Sequence, residues 1–191
     1  IQRVNKVFND TILNRVFTNA TKAAQIGLEM NLTNTITPFW QSIFSGNIYK
    51  YKISGSIFDG AIKINNASWI YSINSTQTFT LQKGLSLQAS IIYLSKRVTA
   101  QGEDGAFLTP HLSLKKTTQD QRWTFQMQWL NIDMGTKLSN RQRITTRGLN
   151  FYTTTNYIYE TDQLQFSLSY NISKKNRKVI LPVSEMAEKE F

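Results

Sequence analysis

The side chains that most often carry chemistry are few in this chain, and none of them cluster. His111 is the single histidine and cysteine is absent, so neither a disulfide nor a Cys-ligated metal site can form. No zinc-ligand spacing and no phosphate-cradling glycine loop occurs. Glu103-Asp104 and Asp59 have the composition of a loop cation site, but they read better as solvated turn residues, as do Glu160 and Asp162. These residues predict no catalytic site, no metal and no cofactor.

The net charge of +10 raises the question of nucleic acid. The basic residues collect in connections and at the end of the chain: Lys137, Arg141, Arg143 and Arg147, then Lys174, Lys175, Arg177 and Lys178. That is the pattern of solvated loops and a juxtamembrane tail near anionic headgroups. With no basic helix and no spaced aromatic platform, no nucleic-acid partner is expected. Six N-x-S/T triplets, at Asn9, Asn19, Asn31, Asn66, Asn74 and Asn171, follow from an Asn/Ser/Thr-rich composition. Asn74 and Asn171 fall inside expected strands, where a glycan would not fit.

The elements that must position these residues are strands of an unusual kind. From Asn66 to Leu81, Ala67, Trp69, Tyr71, Ile73 and Phe79 share one parity. Ser68, Ser72, Asn74, Thr76, Thr78 and Thr80 share the other, with Ile70 the exception. Successive strand side chains point to opposite faces, so this is a two-faced strand. Its polar face holds hydroxyls and amides instead of the Lys, Glu and Asp of a soluble surface. Three more segments repeat the pattern, with apolar sets Leu85 to Tyr93, Trp123 to Trp129 and Leu164 to Ile172, and none of those sets contains a charge. Arg or Lys at mid-bilayer on a lipid face costs about 2–4 kcal/mol, which accounts for that silence.

Strands are expected at 22–34, 39–53, 65–81, 85–98, 106–116, 121–133 and 157–173. Residues 1–8 read as the end of a strand and 9–21 as a loop, giving seven full strands and part of an eighth. The runs span about 11 to 17 residues, against roughly 5–6 in globular domains. Short turns at 35–38, 82–84 and 117–120 alternate with longer loops at 54–64, 99–105 and 134–156. Short periplasmic turns and long outer loops are the rule in outer-membrane barrels. No run approaches the ~20 apolar residues of a membrane helix, so a membrane could be crossed only with strands. The fold class is therefore all-β, a transmembrane antiparallel β-barrel.

Trp40, Trp69, Tyr93, Trp123, Trp129, Phe166 and Tyr170, with Phe79, are expected to form the lipid-facing aromatic girdle. Two features fit less well. The 39–53 strand does not sort by parity, because Lys50 and Lys52 join Trp40, Phe44 and Ile48; its outer end is expected to project beyond the membrane. Pro110 deletes a ladder donor inside a strand, so a bulge or a position near the membrane edge is expected there. Residues 1–173 make up the barrel part, and 174–191 a polar periplasmic tail with a short helical turn over 184–190.

The runs YKYKISGSIFDG (Tyr49–Gly60), NNASWIYSIN (Asn65–Asn74), LSLQASIIYLSKRVTAQG (Leu85–Gly102) and FLTPHLSLKK (Phe107–Lys116) closely resemble the outer-membrane β-barrel family related to TonB-dependent receptors. QWLNID, the stretch from Asn150 to Lys178 and the closing AEKEF are similar to that family's C-terminus. The resemblance implies the C-terminal portion, about seven to eight strands, of a 22-stranded barrel closed by an upstream plug. It implies nutrient uptake across the bacterial outer membrane, driven by the TonB system. Implied partners are outer-membrane lipid and the upstream barrel and plug, while a surface lipoprotein bound to the long loops is the partner expected of a docking barrel. Arg97, Glu103, Arg141, Arg143 and Arg147 become the candidates for ligand or lid contacts. Two alternatives stay open: a non-transporting barrel that docks other subunits, and a soluble β-sandwich binding module. Packing of Trp69, Phe125 and Phe166 into a dry interior would favour the sandwich.

Overall fold

Long two-faced runs separated by turn residues leave the chain one regular option, antiparallel hairpins. A computed structural model of the protein describes residues 2–8, 12–19, 22–58 and 60–172. The expected tail, with its helical turn and with Lys174, Lys175, Arg177 and Lys178, lies outside the described residues, as do Asn9, Asp10 and Asp59.

The strands in chain order are β1 (Gln2–Phe8), β2 (Ile12–Thr18), β3 (Lys22–Thr37), β4 (Trp40–Ile57) and β5 (Ile62–Leu81). A single 3-10 turn, Gln82–Gly84, leads to β6 (Leu85–Leu94), β7 (Arg97–Val98), β8 (Gly102–Asp104) and β9 (Phe107–Thr117). The rest are β10 (Trp123–Leu130), β11 (Arg141–Arg147), β12 (Tyr152–Ile158) and β13 (Gln163–Tyr170). Seven of them form one sheet in the order β13-β10-β9-β6-β5-β4-β3, here called the wall. A four-stranded sheet, β12-β11-β8-β7, and the β1–β2 hairpin form a cap at the long-loop end.

The wall is built as the alternation requires. Along β10, Trp123, Phe125, Met127 and Trp129 are exposed while Thr124, Gln126 and Gln128 are half-buried. In β5, Ala67, Trp69, Tyr71 and Ile73 are exposed and Ile70 is buried. The apolar face thus points away from the rest of the protein, the reverse of a soluble sheet. Trp69, Phe125 and Phe166 are 58%, 48% and 72% exposed, so no second layer packs on them. One register row runs from Trp129 through Leu112, Ala89 and Gln77 to Ser42. It starts at the long-loop end of β10 and finishes beside the short-turn end of β4. Such stagger is what a sheet needs in order to curl toward a barrel. The sheet is open, with β3 and β13 as its two edges.

The register also explains β4. Trp40, Phe44 and Ile48 do share the outward face with Lys50 and Lys52, which sit opposite Trp69 and Ala67 at the long-loop end. The β5 face is interrupted too, since Ser75 and Gln77 have the parity of Ile73 and Phe79. Gln77 is fully satisfied there: its Oε1 accepts from Trp40 Nε1 at 2.9 Å, and its Nε2 donates to Ser42 Oγ and Ser75 Oγ, both at 2.9 Å. A closed network of this kind lets an amide sit on an apolar face without the cost of an unmade bond.

Several sequence expectations need correction. Residues 12–18 are not loop but β2, paired with β1 from Gln2↔Thr18 to Phe8↔Ile12. The turn residues at 9–10 and 19 flank a strand-forming ILNRVFT segment, and β1 belongs to that hairpin instead of the wall. The 134–156 connection contains β11 and part of β12, paired throughout from Arg141↔Ile158 to Arg147↔Tyr152. The expected 157–173 strand is two pieces, because β12 ends at Ile158 and β13 begins at Gln163. The 85–98 run breaks after Leu94, and Arg97–Val98 joins the cap. Pro110 makes no bulge: β6 and β9 stay in register through Ile91↔Pro110. Its missing donor faces the β10 side beyond the last β9–β10 pair, where its carbonyl still accepts Ile132 N at 3.0 Å.

The cap folds inward, onto the wall's polar face. After β6 the chain crosses β5: Ser95 N donates to Tyr71 O and Ser95 Oγ accepts Tyr71 N, both at 2.9 Å. Farther along, Asn66 Nδ2 donates to Thr99 O at 2.8 Å. Val4 and Ala100 then pack against Ile53, Ile57 and Ile64, all inward-facing residues of the β4–β5 hairpin. Burying each aliphatic side chain is worth about 1.5–3 kcal/mol, so this small cluster fastens cap to wall. A second fastening is polar. Ser139 and Asn140 are fully buried, and Asn140 Nδ2 donates to the carbonyls of Asn131 and Ile132 at 2.8 and 3.0 Å. Asn140 has φ +54, a left-handed conformation that Asn tolerates better than most residues.

Candidate functional site

Strand parity in the cap sets one polar face against the β1–β2 hairpin. Gln142 and Tyr157 are a directly opposed pair, as are Ile144 and Thr155, and Asp104 lies beside Ile144 on the next strand. Arg97 in turn opposes Asp104, so all six share one side of the sheet. Between them and Asn5 and Arg15 of the hairpin lies a cavity of about 530 Å³.

Gln101 closes one end of the cavity. Its Oε1 accepts Asn5 N at 2.6 Å and its Nε2 donates to Asn5 O at 2.8 Å, a two-bond clasp that imitates a strand partner. The Arg97 guanidinium donates through Nε to Asp104 Oδ2 at 2.6 Å, with the Asp104 side chain only 8% exposed. Such charge-assisted bonds are short and strong. The pairing leaves Arg15 as the unbalanced charge in the cavity wall. Amides, hydroxyls, an arginine and the rings of Tyr157 and Tyr159 can bind a polar solute by hydrogen bonds and by stacking. They offer no nucleophile–base pair, and among the described residues no group of three or more His, Asp or Glu could hold a metal.

The five residues expected to contact ligand do not converge. Arg97 faces the cavity. Glu103 lies on the opposite face of the cap sheet, with its Oε2 2.6 Å from Lys96 Nζ. Together with Arg147 it borders a smaller recess of about 350 Å³. The Arg147 guanidinium also stands over the Tyr152 ring at 5.5 Å. Arg141 and Arg143 are exposed on that same opposite face, and the Arg143 carbonyl accepts Gly105 N at 2.6 Å. Sequence reasoning missed Asn5, Arg15, Gln101, Gln142, Tyr157 and Tyr159. The alternation in RQRITTR and YTTTNYI was the available signal, overlooked because a long polar connection was read as a loop.

The expected girdle residues all lie on the wall's outward face, in two groups. Trp40, Phe79, Trp123 and Tyr170 gather at the short-turn end, with Trp123 and Tyr170 rings 4.5 Å apart and Trp40 and Phe79 5.7 Å apart. Trp69, Tyr93 and Trp129 lie at the long-loop end, where Tyr71 and Tyr93 meet at 5.8 Å and Trp129 Nε1 donates to Asp162 Oδ1 at 2.9 Å. Phe166 sits midway along β13, opposite Met127, between the two groups.

A staggered antiparallel wall with its apolar face bare, aromatic groups at both ends and a polar inner face defines a membrane β-barrel protein. The chain belongs to the outer membrane protein beta-barrel family, whose model matches residues 1–170. That membership puts it in the bacterial outer membrane. Comparison with curated proteins and with solved structures found no match.

Proposed function

We propose that this chain is the C-terminal part of a TonB-dependent-receptor-type barrel that imports a small polar nutrient. The observation that carries the reading is the inward-folded cap. It lies on the polar face of the wall at the long-loop end and holds the polar cavity of about 530 Å³. A solute arriving from outside would meet Gln101, Gln142, Arg15 and Tyr157 before it reached the lumen. The outward residues Trp40, Trp69, Tyr93, Trp123, Trp129, Phe166 and Tyr170 are the lipid-facing surface. In this reading the upstream chain supplies the remaining strands of a 22-stranded barrel and the plug, and the TonB system supplies the energy. The chain itself carries out no catalytic step.

The test is uptake by a strain carrying the full-length gene with Gln142→Ala and Tyr157→Ala together. Uptake of one solute, found by comparing the deletion strain with its parent on a nutrient panel, falls at least tenfold while the protein level in the outer membrane is unchanged. Equal uptake of every nutrient by parent and deletion strain would overturn transport. A second reading, a non-transporting docking barrel, is favoured by Leu149, 73% exposed at the tip of the β11–β12 hairpin beside an apolar notch of about 240 Å³. Recovery of a surface lipoprotein with the wild-type barrel, lost with Leu149→Asp, would decide for it.

A further inference from the structure

On the outward face of the wall, four lysines gather at the long-loop end of β3, β4 and β5. Along β4 the outward residues pass from Ile48 to Lys50 and Lys52, and the same rows hold Ile26 and Trp69, then Ala24 and Ala67. Lys22 opposes Ser54, and Lys63 opposes Ser56, which puts both on the same face just beyond. All four lysines are exposed. They begin where the apolar side chains of β3, β4 and β5 end, at the level of Trp69.

Among the described residues no acidic side chain pairs with them. Glu29 is the one acidic residue in β3, β4 and β5; it opposes Asn47 on the inward face and accepts from Asn31 Nδ2. Two-residue steps of roughly 6.6 Å along a strand and about 4.8 Å between strands set each stem within about 15 Å of at least two others, with Lys50 and Lys63 about 20 Å apart at the ends of the patch. Their aliphatic stems can lie along the apolar wall while the ammonium heads meet at headgroup depth. The opposite rim differs. There Lys116 is outward, opposite Leu85 and Phe125, and its Nζ donates to the Lys83 carbonyl at 2.7 Å.

We propose that Lys22, Lys50, Lys52 and Lys63 form a binding site for the phosphate groups of lipid in the outer leaflet, holding one lipid against β3–β5. Clustered ammonium groups suit phosphates as point charges, and basic patches at the membrane surface gain about fivefold in binding per lysine. The inference needs the wall to face lipid and the long loops to face outward; it does not need transport.

The test uses the full-length protein, extracted from outer membranes in mild detergent, with bound lipid read by native mass spectrometry. K50E/K52E is expected to retain roughly 30-fold less phosphorylated lipid than wild type, about fivefold for each lysine lost. K50R/K52R and Lys116→Glu are expected to retain the wild-type amount. If the charge reversal blocks assembly, K50Q/K52Q replaces it, with the same loss expected. Equal lipid in wild type and the double variant would overturn the site, as would an equal loss in Lys116→Glu. Lipid-facing orientation is checked separately by a charge at Phe166, so failure of one does not mimic failure of the other.

Discussion

Phe166 on the wall and Leu149 at the tip of the β11–β12 hairpin are equally bare, at 72% and 73% exposure. Their surroundings are opposite. Phe166 belongs to a largely apolar face that extends across seven strands, whereas Leu149 stands at a hairpin tip beside one small notch lined by residues such as Phe58 and Ile62. The same contrast runs through the whole molecule. Among the described residues, the most deeply buried side chains lie in the cap and the wall segments it touches, as with Val4, Ile53, Ile57 and Ile64, and with Ser139 and Asn140. The cap is held by burial and by buried hydrogen bonds such as those of Asn140 Nδ2, as a soluble domain is. The wall has its backbone ladder and needs lipid for the rest. Exposure alone therefore says little here; what surrounds the exposed group decides its energy.

A charge placed at each of these two residues breaks or sharpens that contrast most strongly. Phe166→Arg is expected to cost about 2–4 kcal/mol and to reduce the folded, heat-modifiable band in outer membranes. Leu149→Arg should leave that band unchanged. Equal behaviour of the two would mean that the wall does not face lipid.

The next effect is on the cap. Asn140→Ala removes donors to two buried carbonyls and leaves alanine at φ +54. A loss of about 1–3 kcal/mol is expected, the cost of buried groups left unsatisfied. Hydrogen exchange should speed in residues 131–162 while β4 and β5 stay protected. Uniform exchange across both sheets would show one cooperative unit instead of two.

On the wall, Gln77→Leu tests whether a polar network there is structural. It leaves Trp40 Nε1 without an acceptor, so a smaller loss of about 1 kcal/mol is expected in urea unfolding from lipid. Gln77→Leu with Trp40→Phe should recover most of it, since both partners are then apolar.

The smallest effect lies in the turn before β10. Asp120 has its carboxyl held below the ordinary 3.8, first by the Thr118 hydroxyl at 2.5 Å and then by Arg122 N at 3.2 Å. A depressed carboxyl stabilises the fold above its ordinary value and stops doing so as pH falls through the depressed one. Asp120→Asn should lower the unfolding midpoint slightly at pH 7, and the difference should vanish well below pH 3.8.

Local alternation was enough to read the wall. Leu164 to Ile172, Trp123 to Trp129 and Ala67 to Ile73 each declare their outward set within one strand, because side-chain direction repeats every two residues wherever the strand pairs. Even the odd residues of β4 were correctly placed on one parity, though their meaning needed Trp69 and Ala67 as neighbours. The absence of charge from those outward sets, and hence the kind of solvent they meet, was also present in the residues alone.

What the chain could not declare locally is which edges meet. RQRITTR and YTTTNYI pair as a hairpin to which Gly102–Asp104 returns at 144–146, and ILNRVFT pairs with β1. Of these pairings, β8–β11 joins residues 40 to 44 positions apart, so no short window along the sequence contains both partners, whereas β1 and β2 pair across a local hairpin. The inward fold of the cap, the clasp between Asn5 and Gln101, and the separation of Arg97 from Arg141, Arg143 and Arg147 onto opposite faces all follow from them. Strand direction is a property of neighbours in the chain; a cavity is a property of neighbours in space.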